Sequence, residues 1–174
     1  KNEYTVFHFN SNSDRGIDVG VLAKVSKNLQ IKSKFYSHKD FARGLQEVLV
    51  ETKNKKFKIF LTHLKSKLDL KKSDFEGRSH RKKEVERIIK IINQSAKDVD
   101  DHYLLCGDFN GIISSKETEE ELLPLLDSLK TQDILSYLKK KDSLRRKKLF
   151  VFFFVITTTV KTCFFRSSFF VIFV

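Results

Sequence analysis

The chain has 174 residues, room for one domain and too little for two comfortable ones. Forty per cent hydrophobic residues exclude a disordered tail as the bulk of the chain, and one Pro with six Gly excludes collagen-like and Pro-rich linker classes. The formal charge is +12, but six of the 34 basic residues (Arg145, Arg146, Lys147, Lys148, Lys161, Arg166) lie in 145–174 with no acid, leaving 28 against 22, or +6, for 1–144. That balance suits a polyanionic partner and an ordinary lysine-rich surface equally well. Cys106 and Cys163 are too few for a disulfide framework. Position 1 is Lys and Met is absent, so the chain reads as a fragment, a processed product or a gene with a displaced start, with no signal peptide visible at its beginning.

The first predicted element is a strand over 19–25 (VGVLAKV), after a turn-like stretch at 10–15. Residues 45–52 (LQEVLVET) and 56–63 (KFKIFLTH) alternate in part and flank Lys53–Lys55, with Asn54 as turn residue, which predicts a hairpin. Over 79–96 the period changes. Val85, Ile88, Ile89 and Ile92 form the stripe of an amphipathic helix, with Lys82, Lys83, Glu86, Arg87 and Lys90 opposite. Residues 103–106 (YLLC) predict a short buried strand running into Gly107-Asp108-Phe109-Asn110. Ser114 followed by Glu117 has the pattern of a capping box, predicting a second helix towards Leu129 that Pro124 interrupts. Alternating helix and strand place the chain in the α/β or α+β class with a layered sheet.

The end of the chain differs. Residues 149–174 hold nine of the 17 Phe. Three readings compete for 145–174: a membrane-associating segment behind the basic cluster, two edge strands, or an out-of-frame tail. The first apolar run, 149–160, is twelve residues, short of the roughly 20 a spanning helix needs.

Two strand ends carry the chemistry. Asp108 and Asn110, two apart after a buried strand, are expected on one side, aimed into the crevice beyond it, where they suit water activation and the gripping of a phosphate or metal. The plain alternative is a turn in which both bond their own backbone. His63 closes the other β-rich run, in Thr62-His63-Leu64-Lys65-Ser66-Lys67, where an imidazole can donate a proton or stabilise charge. Cys106 reads as a small buried apolar residue, and His80 and His102, flanked by charges, as surface residues. Lys65, Lys67, Lys71 and Lys72 follow His63 and suit either phosphate contacts or a solvated loop.

Four strings together carry a resemblance: Ser13-Asp14-Arg15-Gly16-Ile17-Asp18-Val19-Gly20-Val21-Leu22, Phe41-Ala42-Arg43-Gly44-Leu45, His63-Leu64-Lys65-Ser66-Lys67 and Gly107-Asp108-Phe109-Asn110. In order and spacing, over roughly residues 10 to 130, they resemble the endonuclease/exonuclease/phosphatase superfamily of DNase I-like nucleases, sphingomyelinases and inositol-polyphosphate 5-phosphatases. The resemblance implies an α+β sandwich of two packed β-sheets flanked by helices, and hydrolysis of phosphate esters with Mg2+, or Mn2+ as an alternative. It implies that Asp108 orients or deprotonates water, Asn110 holds the phosphate or helps at the metal, His63 stabilises the developing charge, and Arg43 contacts phosphate. The chain departs from the family in two places. No string here matches the family's early metal-binding Glu, and none of the five His follows Asp108, so the terminal Ser-Asp-His is missing.

The sequence therefore predicts a partial domain over 1–144, incomplete at both ends, and a separate tail over 145–174. The expected function is a metal-dependent, nuclease-type phosphoesterase fragment, weak or inactive in this chain. One alternative is a non-catalytic remnant binding nucleic acid through its lysines. Another is a membrane-attached lipid or inositol-phosphate phosphoesterase held by 145–174.

Overall fold

A computed structural model of the chain describes residues 3–13, 16–24, 27–68, 73–99, 103–113, 117–129 and 168–171. Among the described residues seven strands form two sheets: β1 (Tyr4–His8), β2 (Val19–Lys24) and β7 (Ser168–Val171) in the order β1-β2-β7, and β3 (Leu29–Tyr36), β4 (Leu45–Thr52), β5 (Lys56–His63) and β6 (Tyr103–Asp108) in the order β3-β4-β5-β6. The fold is α+β, with two sheets face to face as the sequence predicts.

The predicted hairpin is β4–β5, antiparallel from Leu45↔Thr62 to Glu51↔Lys56. Thr52 closes its turn: its N–H donates to the Lys55 carbonyl (2.8 Å) and its Oγ1 accepts from the Lys55 N–H (3.0 Å). β3 precedes the hairpin as a third antiparallel strand. β6 adds to β5 in parallel, so the chain must cross over between them, and it does so through helix α1 (Arg78–Ser95).

Strand alternation separates two cores. Val48 and Val50 of β4, Ile59 and Leu61 of β5 and Cys106 of β6 face Val19 and Val21 of β2, filling the space between the sheets. Leu45 and Phe60, on the opposite face, meet Val85, Ile88 and Ile92 of α1 together with Leu64, Phe109, Leu122 and Leu125. Among the described residues the layers are therefore sheet, sheet, helix.

Several predicted elements are corrected. Helix α1 buries Ile91 with Val85, Ile88 and Ile92, while Ile89 is only half-buried. The second helix, α2 (Leu123–Asp127), is short and follows a 3-10 turn at Glu120–Leu122. Pro124 sits in its first turn, where a missing N–H costs nothing, so it starts the helix rather than interrupting it. Ser114 of the predicted capping box lies outside the described residues. The tail readings also lie outside them, except that 168–171 pairs in parallel with β2. No helix of the described residues is long and apolar enough to cross a membrane.

Candidate active site

Parallel strands β5 and β6 stop at the same level, and their last register pair is His63↔Asp108. Both residues continue the alternate positions that bury Ile59, Leu61 and Cys106 between the sheets, so the pair lies where that inter-sheet core ends. His63 Nε2 is 3.8 Å from Asp108 Oδ2. That is beyond hydrogen-bond length and leaves a gap that a shared oxygen can bridge. Asp108 keeps about a fifth of its side chain exposed, whereas His63 is largely buried.

The register depends on Gly107. Its φ is +144°, and a Cβ there would lie 1.7 Å from the Thr62 carbonyl oxygen. Only glycine lets β6 approach β5 closely enough to bring Asp108 opposite His63.

Beyond the strands the chain turns sharply. Asn110 has φ +49°, a left-handed conformation that Asn tolerates better than most residues. Asp108 Oδ1 accepts the Asn110 N–H at 2.9 Å, an Asx turn. Asn110 is therefore not on the strand, and strand periodicity does not place it beside Asp108 as the sequence predicts; the turn does. Its Nδ2 donates to the Leu64 carbonyl at 2.9 Å, which ties the β6 loop to the β5 loop.

The other predicted residues land as follows. Arg43 is buried, and its Nη1 donates to the carbonyls of Leu64 (2.7 Å) and His63 (3.4 Å), so its guanidinium supports the β5 end from behind. Lys67 pairs with Glu119 at 2.6 Å, and Lys65 Nζ donates to the Ser66 and Leu68 carbonyls. Lys71, Lys72, His102 and the Asp14-Arg15 string lie outside the described residues. His80, expected at the surface, is half-buried, and burial pushes its ring below the usual histidine range, helped by Lys65. Cys106 is buried as expected, and burial pushes its thiol up to about 12.

Two residues escaped the sequence reading. Arg81 and Glu84 lie on the apolar stripe of α1 and are fully buried. Glu84 accepts N–H bonds from Ala42 (2.8 Å) and Lys65 (2.7 Å). Arg81 pairs with Glu121 and with Glu119 (3.4 Å), and donates to the carbonyls of Glu76 (2.6 Å) and Lys65 (3.3 Å). The available signal was their spacing: 81 and 84 fall in register with 85, 88 and 92, where a charged residue must find buried partners.

The described residues do not complete a cation site. Among the described residues no group of three or more His, Cys, Asp or Glu side chains could hold a metal ion. Asp108 offers one carboxylate, with one oxygen on the Asn110 amide and the other towards His63. A Mg2+ ion wants near-octahedral oxygen coordination, which this donor set does not assemble.

The fold and this pair of strand ends define an α+β two-sheet protein with an acid–imidazole pair at one end of the sandwich. No protein-family model matches the chain, and no curated protein matches it. Among solved structures it is similar to D. rerio TDP2 humanized by 14 mutations, at 17% identity and TM-score 0.46 over 70% of this chain and 43% of that one. It is also similar to D. rerio TDP2 complexed with single strand DNA product, at 17% identity and TM-score 0.44 over 70% of this chain and 42% of that one. These are distant structural relationships, and the chain spans about two fifths of the length of the structures it matches.

Proposed function

We propose that the chain carries part of a phosphodiester-hydrolysing site, built on the ends of β5 and β6. The observation that carries this reading is the His63–Asp108 pair, 3.8 Å apart on adjacent strand ends and partly open to solvent on the carboxylate side. A carboxylate and an imidazole at that spacing can address one phosphate from two sides. Asp108 Oδ2 accepts a proton from the attacking water, and His63 Nε2 donates to a phosphate oxygen as charge builds on it. An amide nitrogen has two N–H groups. One on Asn110 holds Leu64, and the other is the phosphate donor in this reading. Arg43 acts from beneath, fixing the His63 and Leu64 carbonyls rather than gripping phosphate. Mg2+ or Mn2+, expected from the resemblance, would need ligands beyond the described residues, and no step here runs through an ion. The substrate class is nucleic acid, in keeping with the basic body of the chain.

The test is cleavage of an end-labelled single-stranded DNA in Mg2+, Mn2+ and EDTA arms. Asp108→Asn is expected to lower cleavage by about 10²-fold or more. Equal cleavage by wild type and Asp108→Asn would overturn the reading. One observation favours a second reading, binding without turnover: Asp108 and Asn110 both bond main chain, as in a plain turn. DNA binding that weakens steeply with salt and is never followed by cleavage would select it.

A further inference from the structure

We propose that Glu84 is a positioning residue, whose carboxylate clamps the loop entering β4 to the loop leaving β5 and so sets where His63 stands relative to Asp108. The proposal rests on reading His63 and Asp108 as the reacting pair, but its geometry can be tested without turnover.

The contacts converge on two residues. The Leu64 N–H donates to the Asp108 carbonyl at 2.9 Å. The Leu64 carbonyl accepts from Arg43 at 2.7 Å and from Asn110 at 2.9 Å. The Lys65 N–H donates to Glu84 at 2.7 Å, and the Lys65 carbonyl accepts from Arg81 at 3.3 Å. Every main-chain polar group directly after His63 is thus held by β6, by its turn, by Arg43 or by α1. Arg43 joins this set directly to the neighbouring loop, and Glu84 joins it a second time, through the Ala42 N–H at 2.8 Å, one residue before Arg43. One carboxylate therefore fixes both the segment bearing His63 and the segment bearing the arginine that supports it.

This clamp is strongest in the ionised form. Each oxygen that accepts one amide N–H keeps a second lone pair for a proton, and the charged carboxylate is the better acceptor for both amides. The cationic groups that act on Glu84 are Arg43 from the β4 entry and Arg81 from α1. Burial nevertheless outweighs them and the two amides, pushing the carboxyl up to about 7. A glutamine offers one acceptor oxygen and an NH2, so it can hold one amide and must face the other with a donor.

The experiment uses the whole chain, wild type and Glu84→Gln, followed by amide hydrogen exchange and by histidine ring signals in NMR at pH 8. In Glu84→Gln the Ala42 or Lys65 amide is expected to exchange about tenfold faster or more, the loss of one charge-assisted bond. The His63 ring signals shift with it, while the amides of β3 and β4 keep their protection. Unchanged exchange at both amides overturns the proposal, as does a His63 signal superimposable on wild type when an amide has loosened. Should Glu84→Gln fail to fold, the wild type still answers. One clamp requires the Ala42 and Lys65 amides to open together, and exchange rates more than about tenfold apart contradict it. Unaltered cleavage with a shifted His63 would count against the hydrolytic reading, not against the clamp.

Discussion

Of the carboxylates buried against helix α1, Glu47 and Glu84 lie towards opposite ends and are satisfied in opposite ways. At the C-terminal end, Glu47 of β4 lies 3.1 Å from Lys58 Nζ and accepts hydroxyl bonds from Tyr36 and Ser95, both at 2.6 Å. Lys58 in turn donates to the Ser95 hydroxyl and carbonyl, where a cation also suits the helix end. Burial pulls the Glu47 carboxyl upward, but the bonds from Ser95, Tyr36 and Lys58 outweigh it and hold the group below its ordinary value. At the site end, Glu84 makes no ion pair among the described residues; two loop amides take its oxygens, and its carboxyl rises to about 7. The first cluster carries its own countercharge and fastens helix to sheet. The second spends its charge on loop backbone, so its protonation is felt by the segments that carry His63 and Arg43.

The largest effect should come from breaking the self-contained cluster. Lys58→Ala strands Glu47 in the interior and is expected to cost about 3–5 kcal/mol, read as a lower urea midpoint. A loss below about 1 kcal/mol would mean that water already reaches Glu47.

Next is the pH dependence. A carboxyl whose folded pKa is raised binds more protons folded than unfolded. The stability it contributes is full below about 4.5 and is lost as pH rises through about 7. Between pH 5 and pH 8 the wild type should therefore lose, relative to Glu84→Gln, on the order of 2 kcal/mol. Glu47, held low, contributes in the opposite sense: its share is present above about 4.5 and is lost as pH falls below that. Parallel stability curves for wild type and Glu84→Gln would erase the difference between the two ends.

At pH 8 itself, Glu84→Gln should change global stability by about 1 kcal/mol or less, because a lost amide bond and the relief of a buried charge offset each other. Smallest of all is Lys67→Ala. It removes a partly exposed ion pair with Glu119 and should cost less than about 1 kcal/mol by thermal melting.

The same contrast explains what the sequence could convey. The β4–β5 hairpin and α1 are legible because each repeats an apolar period over several residues, and the strand before Asp108 because Tyr103–Cys106 is a continuous apolar run. β3 carries a weaker signal: Leu29, Ile31 and Phe35 alternate with Gln30, Lys32 and Lys34, but three apolar residues scattered among lysines and a serine do not mark a buried face. β1 is five residues, largely exposed, and carries no such period. In the site, His63 and Asp108 were visible because each closes an apolar run. Asn110 was visible as a residue type but not in its conformation, which depends on the Asx turn. The resemblance implies a phosphate contact for Arg43, and neither the motif nor the residue type can show that its acceptors are the carbonyls of His63 and Leu64. Glu84 was missed for the same reason: its partners are backbone amides of Ala42 and Lys65, which any sequence would supply.

The most direct test of the account is a double-mutant cycle on phosphodiester cleavage, with His63→Ala, Asp108→Asn and the two combined, assayed on one labelled single-stranded DNA. If the pair at the ends of β5 and β6 acts on one phosphate as a unit, the double variant should be about as slow as the worse single variant. Losses that simply multiply would contradict it, and would mean that His63 and Asp108 do not share a reaction centre.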